Sequence, residues 1–260
     1  MYSGIFIGVL LLALPIGAMA ANNSQSLFVP SDSPNVQSNQ SIPNLFPHNT
    51  KPFNVTMEKW LERYWIWVAS MPKDIHPRGD TTGENCGTNQ NGPVWFLDPP
   101  VEQPMVKSFY CEIPEGKAIF VPLLVGECDP TILEDPTDNN ISACAKEGND
   151  QGNIKFSIDG KTLLEIKKTS QSQEQYSLYR TTSDFFNISF VDNNIYDVPT
   201  GTYRAQADGY SAIVQPLALG DHEMFMQNNV LKIQPDAKSL MLLNQVSFHI
   251  KVVKNQNSSN

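Results

Sequence analysis

Long basic runs are missing from this sequence, and with them the simplest route to nucleic acid. Lys and Arg number 18 against 27 Asp and Glu, a net charge of −9, so no broad positive patch can track a phosphate backbone. Catalytic signatures are equally scarce. Asp221-His222-Glu223-Met224-Phe225-Met226 begins like a zinc-protease helix, but Met226 stands where the second histidine is required. No His-x-His anchors a cupin-type metal cluster. Neither Cys128-Asp129-Pro130 nor Cys144-Ala145-Lys146 offers the Cys, His and Met set of blue copper. A Gly-x-Ser-x-Gly elbow, a phosphate-binding glycine loop and a dinucleotide fingerprint are all absent. Beyond the N-terminus no apolar run reaches the roughly 20 residues of a membrane span.

What is present points outside the cell. Residues 1–20, MYSGIFIGVLLLALPIGAMA, carry an apolar stretch followed by Ala18-Met19-Ala20, the small-x-small pattern of a secretory signal cleaved after Ala20. An uncleaved N-terminal membrane anchor is the alternative. Residues 21–51 are rich in Asn, Ser, Gln and Pro and read as a disordered polar linker. Residues 52–254 then form one domain and 255–260 a short tail. After an export signal the even count of cysteines predicts two disulfides. Three pairings are possible; nearest neighbours, Cys86–Cys111 and Cys128–Cys144, are expected, each contributing about 3 kcal/mol. Sequons at Asn22, Asn39, Asn54, Asn140, Asn187 and Asn257 mark candidate glycan sites and therefore surface. The low charged fraction, 17%, suits an extracellular surface.

Phe53 to Ser70 reads as a helix: Trp60, Leu61, Tyr64, Trp65 and Val68 fall at the spacing of a buried stripe, opposite Glu58, Lys59, Glu62 and Arg63. Asn54 or Thr56 caps it and Pro72 ends it. Beyond Pro77 the period changes to 2. Candidate strands are Val94–Leu97, Val106–Ile113, Ala118–Val125, Ile154–Ile158, Thr162–Lys167, Tyr176–Tyr179, Phe185–Phe190, Gly201–Tyr210, Ser211–Leu217, Asp221–Gln227 and Gln245–Val253. Asp159-Gly160 marks a hairpin. Such a series predicts a mainly β fold, an antiparallel β-sandwich of jelly-roll or immunoglobulin-like topology with one aromatic-rich helix packed on it.

Candidate site residues fall into three groups. His76, Arg78, Asp80 and Glu84 crowd one polar connection and read either as an acid/base cluster or as a turn in which Asp80 accepts backbone N–H bonds. His76 and Asp80, with Glu127 and His222, form the weak catalytic set. In the stretch Cys86–Leu97, Gln90 and Trp95 are the ligand-touching candidates, unless Gln90 completes a turn and Trp95 enters the core. Asp129, Asp135 and Asp138 supply hard oxygen atoms for a weak Ca²⁺ site, the one cofactor suggested, although their spacing matches no established calcium loop.

The order Trp65-Ile66-Trp67, Ser70-Met71-Pro72, His76-Pro77, Asp80-Thr81-Thr82-Gly83, Cys86 and Gln90-Asn91-Gly92-Pro93-Val94-Trp95-Phe96-Leu97 resembles a group of uncharacterised exported proteins of bacteria and archaea. The likeness continues through Cys111, Pro114–Pro122, Glu127-Cys128, Asp208-Gly209-Tyr210 and Pro216–His222. It implies a shared architecture and export, and assigns no catalytic residue. Two function classes follow. One is a secreted or cell-surface binding or structural module, its partner a glycan or a surface protein. The other is a secreted hydrolase near His76, Asp80 and Glu127. Convergence of those three would favour the enzyme; an exposed row of aromatics beside Trp95 would favour glycan binding, and fully buried tryptophans would count against it.

Overall fold

The computed structural model describes residues 44–99, 105–147, 149, 153–167, 179–233 and 239–255. The N-terminal segment 1–20, the sequons at Asn22, Asn39 and Asn257, and nearly all of the strand expected at 176–179 lie outside them. Helix α1 (Met57–Ala69) begins where Thr56 accepts a hydrogen bond from the Lys59 N–H, at 3.3 Å. It starts four residues later than expected, because Pro52–Asn54 forms a separate 3₁₀ turn with Phe53 and Asn54 at positive φ. The expected stripe is buried, together with Met57 and Trp67. The chain meets the fold before residue 51: Leu45 is buried and bridges Val214, while Phe46 N–H bonds the Ile213 carbonyl. The expected polar linker therefore ends earlier, at two large apolar side chains that find a strand end to pack on.

Ten strands follow among the described residues: β1 (Val94–Phe96), β2 (Met105–Pro114), β3 (Ala118–Cys128), β4 (Asn153–Ile158), β5 (Lys161–Ile166), β6 (Arg180–Thr182), β7 (Phe186–Phe190), β8 (Gly201–Val214), β9 (Gly220–Ile233) and β10 (Ser239–Val253). They build two five-stranded sheets. The first runs β1–β3–β8–β6, with β7 also on β8; the second runs β2–β10–β9–β4–β5. Both sheets are mixed, which corrects the purely antiparallel expectation: β1 pairs parallel with β3, and β2 parallel with β10. The cause is the path of the chain. Consecutive strands β1, β2 and β3 alternate between sheets, so β3 returns beside β1 in the same direction.

The two strands expected at Gly201–Tyr210 and Ser211–Leu217 are one. Residues 201–214 form a single strand, with Gly209 at φ +145° paired with Val125, beside the bulge between Pro122 and Leu124. A Cβ at Gly209 would lie 2.3 Å from the Leu124 carbonyl oxygen, so only glycine permits this approach. A second helix, α2 (Asp138–Glu147), was not expected. Its only buried positions are Ile141 and Ala145, one turn apart on an otherwise polar segment.

Side chains alternate across the first sheet. Val94 and Phe96 join Ala118, Phe120, Ile188 and Ile213 against the α1 stripe. Trp95, Leu97, Ile119 and Val121 share a second buried cluster with Phe109, Ile113, Phe156, Met224, Phe248 and Ile250 of the other sheet. Phe120 is fully buried, its ring stacked on Tyr64 at 5.2 Å. Replacing it with alanine is expected to cost about 3–5 kcal/mol in denaturant unfolding. Ile66→Ala on the solvent face of α1 should change stability by no more than about 0.5 kcal/mol.

Candidate functional site

Behind α1 lies a buried polar cluster. Pro77–Gly79 forms a 3₁₀ turn that delivers Arg78 to Asp98, just beyond β1. The guanidinium donates to both carboxylate oxygens, at 2.7–3.1 Å, and to the hydroxyls of Tyr64 and Tyr196; Tyr64 donates to Asp98 at 2.7 Å. Burial opposes the Arg78 charge, yet Asp98 holds its pKa well above normal. His76 is wholly buried. The Arg78 N–H donates to Nδ1 at 3.0 Å, so the ring proton sits on Nε2 and bonds the Val68 carbonyl, also at 3.0 Å. Burial lowers its pKa, and both ring nitrogens are committed to the backbone.

Asp80 opens a loop that is built against the edge of β2. Its carboxylate accepts the N–H groups of Thr82, Gly83 and Asn85 and the Thr82 hydroxyl. Burial raises its pKa, but these donors outweigh it and leave the pKa lowered. The Thr82 carbonyl takes the Tyr110 N–H at 3.1 Å, and Gly83 lies so close that a Cβ would sit 2.0 Å from the Tyr110 carbonyl oxygen. The expected Cys86–Cys111 disulfide locks the same loop to β2, and Cys128–Cys144 ties β3 to α2. Gln90 completes a turn: its amide accepts the Phe96 N–H and donates to the Cys86 and Phe96 carbonyls. Trp95 is buried in the inter-sheet core.

The loop forms one wall of an open groove of about 880 Å³ on the outer face of the second sheet. Its floor follows from strand register. Tyr110, His249 and Glu223 stand side by side on β2, β10 and β9, and Glu112, Lys251 and Asp221 form the next row. Tyr110 is 66% exposed, and its ring stacks on His249 at 4.8 Å and 20°. At the far side His222 meets Asp159 of the β4–β5 turn at 2.8 Å, its other nitrogen bonding the Ala218 carbonyl at 3.0 Å. Two acceptors facing two ring nitrogens favour the imidazolium. Burial lowers the His222 pKa, but Asp159 and Ala218 more than reverse it; Asp159 in turn is lowered, chiefly by His222 against its own burial.

Comparison of the chain with family models, curated proteins and solved structures finds no match. The site is therefore read from its own geometry.

No hydrogen bond or ion pair joins His76, Asp80 and Glu127, although two of them border the buried cluster: His76 lies 3.8 Å from Asp98, and Glu127 is within electrostatic reach of Tyr196. Glu127 lies on β3 with one carboxyl oxygen buried and unpartnered among the described residues. Burial, then the neighbouring Asp129, push its pKa up to about 8. Asp129 is buried and accepts the Thr131 N–H, Asp135 bonds the Asn140 amide, and Asp138 pairs with Arg204. Among the described residues no three His, Cys, Asp or Glu side chains gather as a metal site. Glu84, Asn54, Asn140 and Asn187 are exposed. Of the expected candidates, Glu84 and His222 alone line the groove. The period-2 pattern of β2 carries a signal for Tyr110: Phe109, Cys111 and Ile113 are buried, and Tyr110 shares the exposed face with Ser108 and Glu112.

Glu127 stays protonated in the folded chain after the unfolded chain has released its proton, above about pH 4.5. It therefore lowers stability as pH rises from that value toward 8, with a slope of at most about 1.4 kcal/mol per pH unit. Glu127→Gln should flatten the pH profile of denaturant unfolding over this range and be the more stable protein at pH 8. The His222–Asp159 pair behaves in the opposite sense. The His222 contribution is complete below pH 6.5 and is lost as pH rises through its raised pKa; the Asp159 contribution is present above 3.8 and is lost as pH falls through its lowered one. An NMR titration should place the His222 midpoint above 6.5, and Asp159→Asn should lower that midpoint.

Proposed function

We propose that this chain is an exported, disulfide-stapled β-sandwich that binds a glycan in the groove floored by Tyr110 and His249. The two sheets sharing one buried cluster support the sandwich. The apolar N-terminal segment, the two disulfides and the resemblance to exported proteins support a location outside the cell. No helix among the described residues is long and apolar enough to cross a membrane. Asn54, Asn140 and Asn187 are exposed, as glycan acceptors require.

One observation carries the binding reading: an exposed tyrosine at the floor of a large groove, surrounded by carboxylates and imidazoles. An aromatic face receives the apolar side of a sugar ring, and planar polar groups around it receive the hydroxyls. The four tryptophans offer no such platform, since all are buried. The hydrolase reading lacks comparable support. His76 is closed to solvent, Asp80 is spent on its loop, and Glu127 touches neither.

A glycan array probed with the oxidised protein tests this reading. The native protein should bind a subset of glycans, and Tyr110→Ala should weaken that binding at least about fivefold, about 1 kcal/mol, because it removes the apolar face that the sugar ring covers. Its melting temperature should fall by no more than about 4 °C, because Tyr110 is largely exposed and loses only its stacking on His249. An empty array, or unchanged binding by the variant, would overturn it.

A further inference from the structure

The groove has a charge, and the charge selects among sugars. Five carboxylates line it: Glu84, Glu112, Asp159, Asp221 and Glu223. Two are matched, Glu112 by Lys251 at 3.5 Å and Asp159 by His222 at 2.8 Å. Glu84, Asp221 and Glu223 are exposed and have no ion-pair partner among the described residues. Counting Lys251 and the His222 imidazolium as the positive charges leaves an excess of three carboxylates. Two of them flank the aromatic pair directly, Glu223 in the row of Tyr110 and His249, Asp221 in the row beside it.

We infer that the ligand is an oligosaccharide of amino sugars carrying free, protonated amines; this rests on the reading of the groove as a glycan site. An ammonium group is attracted to the face of Tyr110 and forms charge-assisted hydrogen bonds with Glu223 and Asp221. A uronic-acid polymer meets repulsion from the same carboxylates. A basic peptide shares the charge, but peptides added to sheets are held by free backbone groups at an edge. Here the Tyr110 N–H is already taken by Thr82, and His249 and Lys251 stand on β10, whose backbone is paired on both sides, with β2 and with β9. Side chains alone address the ligand, which suits a ring with one apolar face and a polar rim.

Calorimetric titration of the oxidised protein separates the possibilities, using a glucosamine hexamer, its N-acetylated counterpart, a galacturonic acid oligomer and a lysine hexapeptide. The glucosamine hexamer should bind at least about tenfold more tightly than the acetylated one at low ionic strength, with the advantage shrinking in salt. The double variant Asp221→Asn, Glu223→Gln should remove that advantage and leave the acetylated oligomer's affinity unchanged. Equal affinities for the two hexamers would overturn the inference while the glycan reading stands, and so would tighter binding of the uronic acid oligomer. Tighter binding of the lysine peptide, lost in the double variant, would overturn the glycan source. No binding of any oligomer would overturn both readings.

Discussion

The first sheet is apolar on both faces, and everything else is arranged to cover it. Val94-Trp95-Phe96-Leu97 and Ala118–Leu123 present large side chains in both directions. A strand with that composition is stable only between two layers. Helix α1 supplies one, filling the space over Phe96 and Phe120 with Trp60, Tyr64 and Trp67. The second sheet supplies the other. Because its inner face is committed to this cover, its outer face is free to be polar, and that is where the groove lies.

Edges impose the second constraint. Strand β1 is three residues long and pairs with β3 on one side only. Its other side would leave Phe96 with an unmatched N–H and carbonyl beside the core. The Gln90 amide matches both, acting as one residue of an absent strand. Strand β2 has the same problem at Tyr110, and the Thr82 carbonyl answers it. A covered edge resists pairing with another chain. The two solutions come from one loop, tied down by Asp80 at its start and Cys86 in its middle, so edge protection and the groove wall are one piece of structure.

Much of this was legible in the residues, and what was not has a physical reason. The α1 stripe, the hairpin at Asp159-Gly160 and the two disulfide pairings were readable because each depends on neighbours close in sequence. Parallel pairing of β1 with β3 was not, since direction is decided by a crossover through the other sheet. The continuity of β8 through Gly209 was not, because a glycine inside a strand marks close backbone approach, here to Leu124, which depends on a distant strand. The groove was least visible. Tyr110 precedes Glu223 and His249 by more than a hundred residues, and the three meet only through the register of β2, β10 and β9.

The buried Arg78–Asp98 pair shows why a polar cluster with the composition of an active site belongs here to the scaffold. Two charges taken from water are costly, and their attraction compensates only when every donor and acceptor is matched. Tyr64, Tyr196 and the bidentate geometry provide that match, while His76 is satisfied separately by the backbone. The partners come from α1, the turn after it, the residue beyond β1 and the loop before β8, so the cluster sets the position of the helix on the sheet. An apolar contact would tolerate sliding, whereas this set of bonds forms in one arrangement. With the covering layer fixed in this way, the Asp80 loop that continues from Arg78 leaves the core at a defined point, and the groove wall it builds inherits that position.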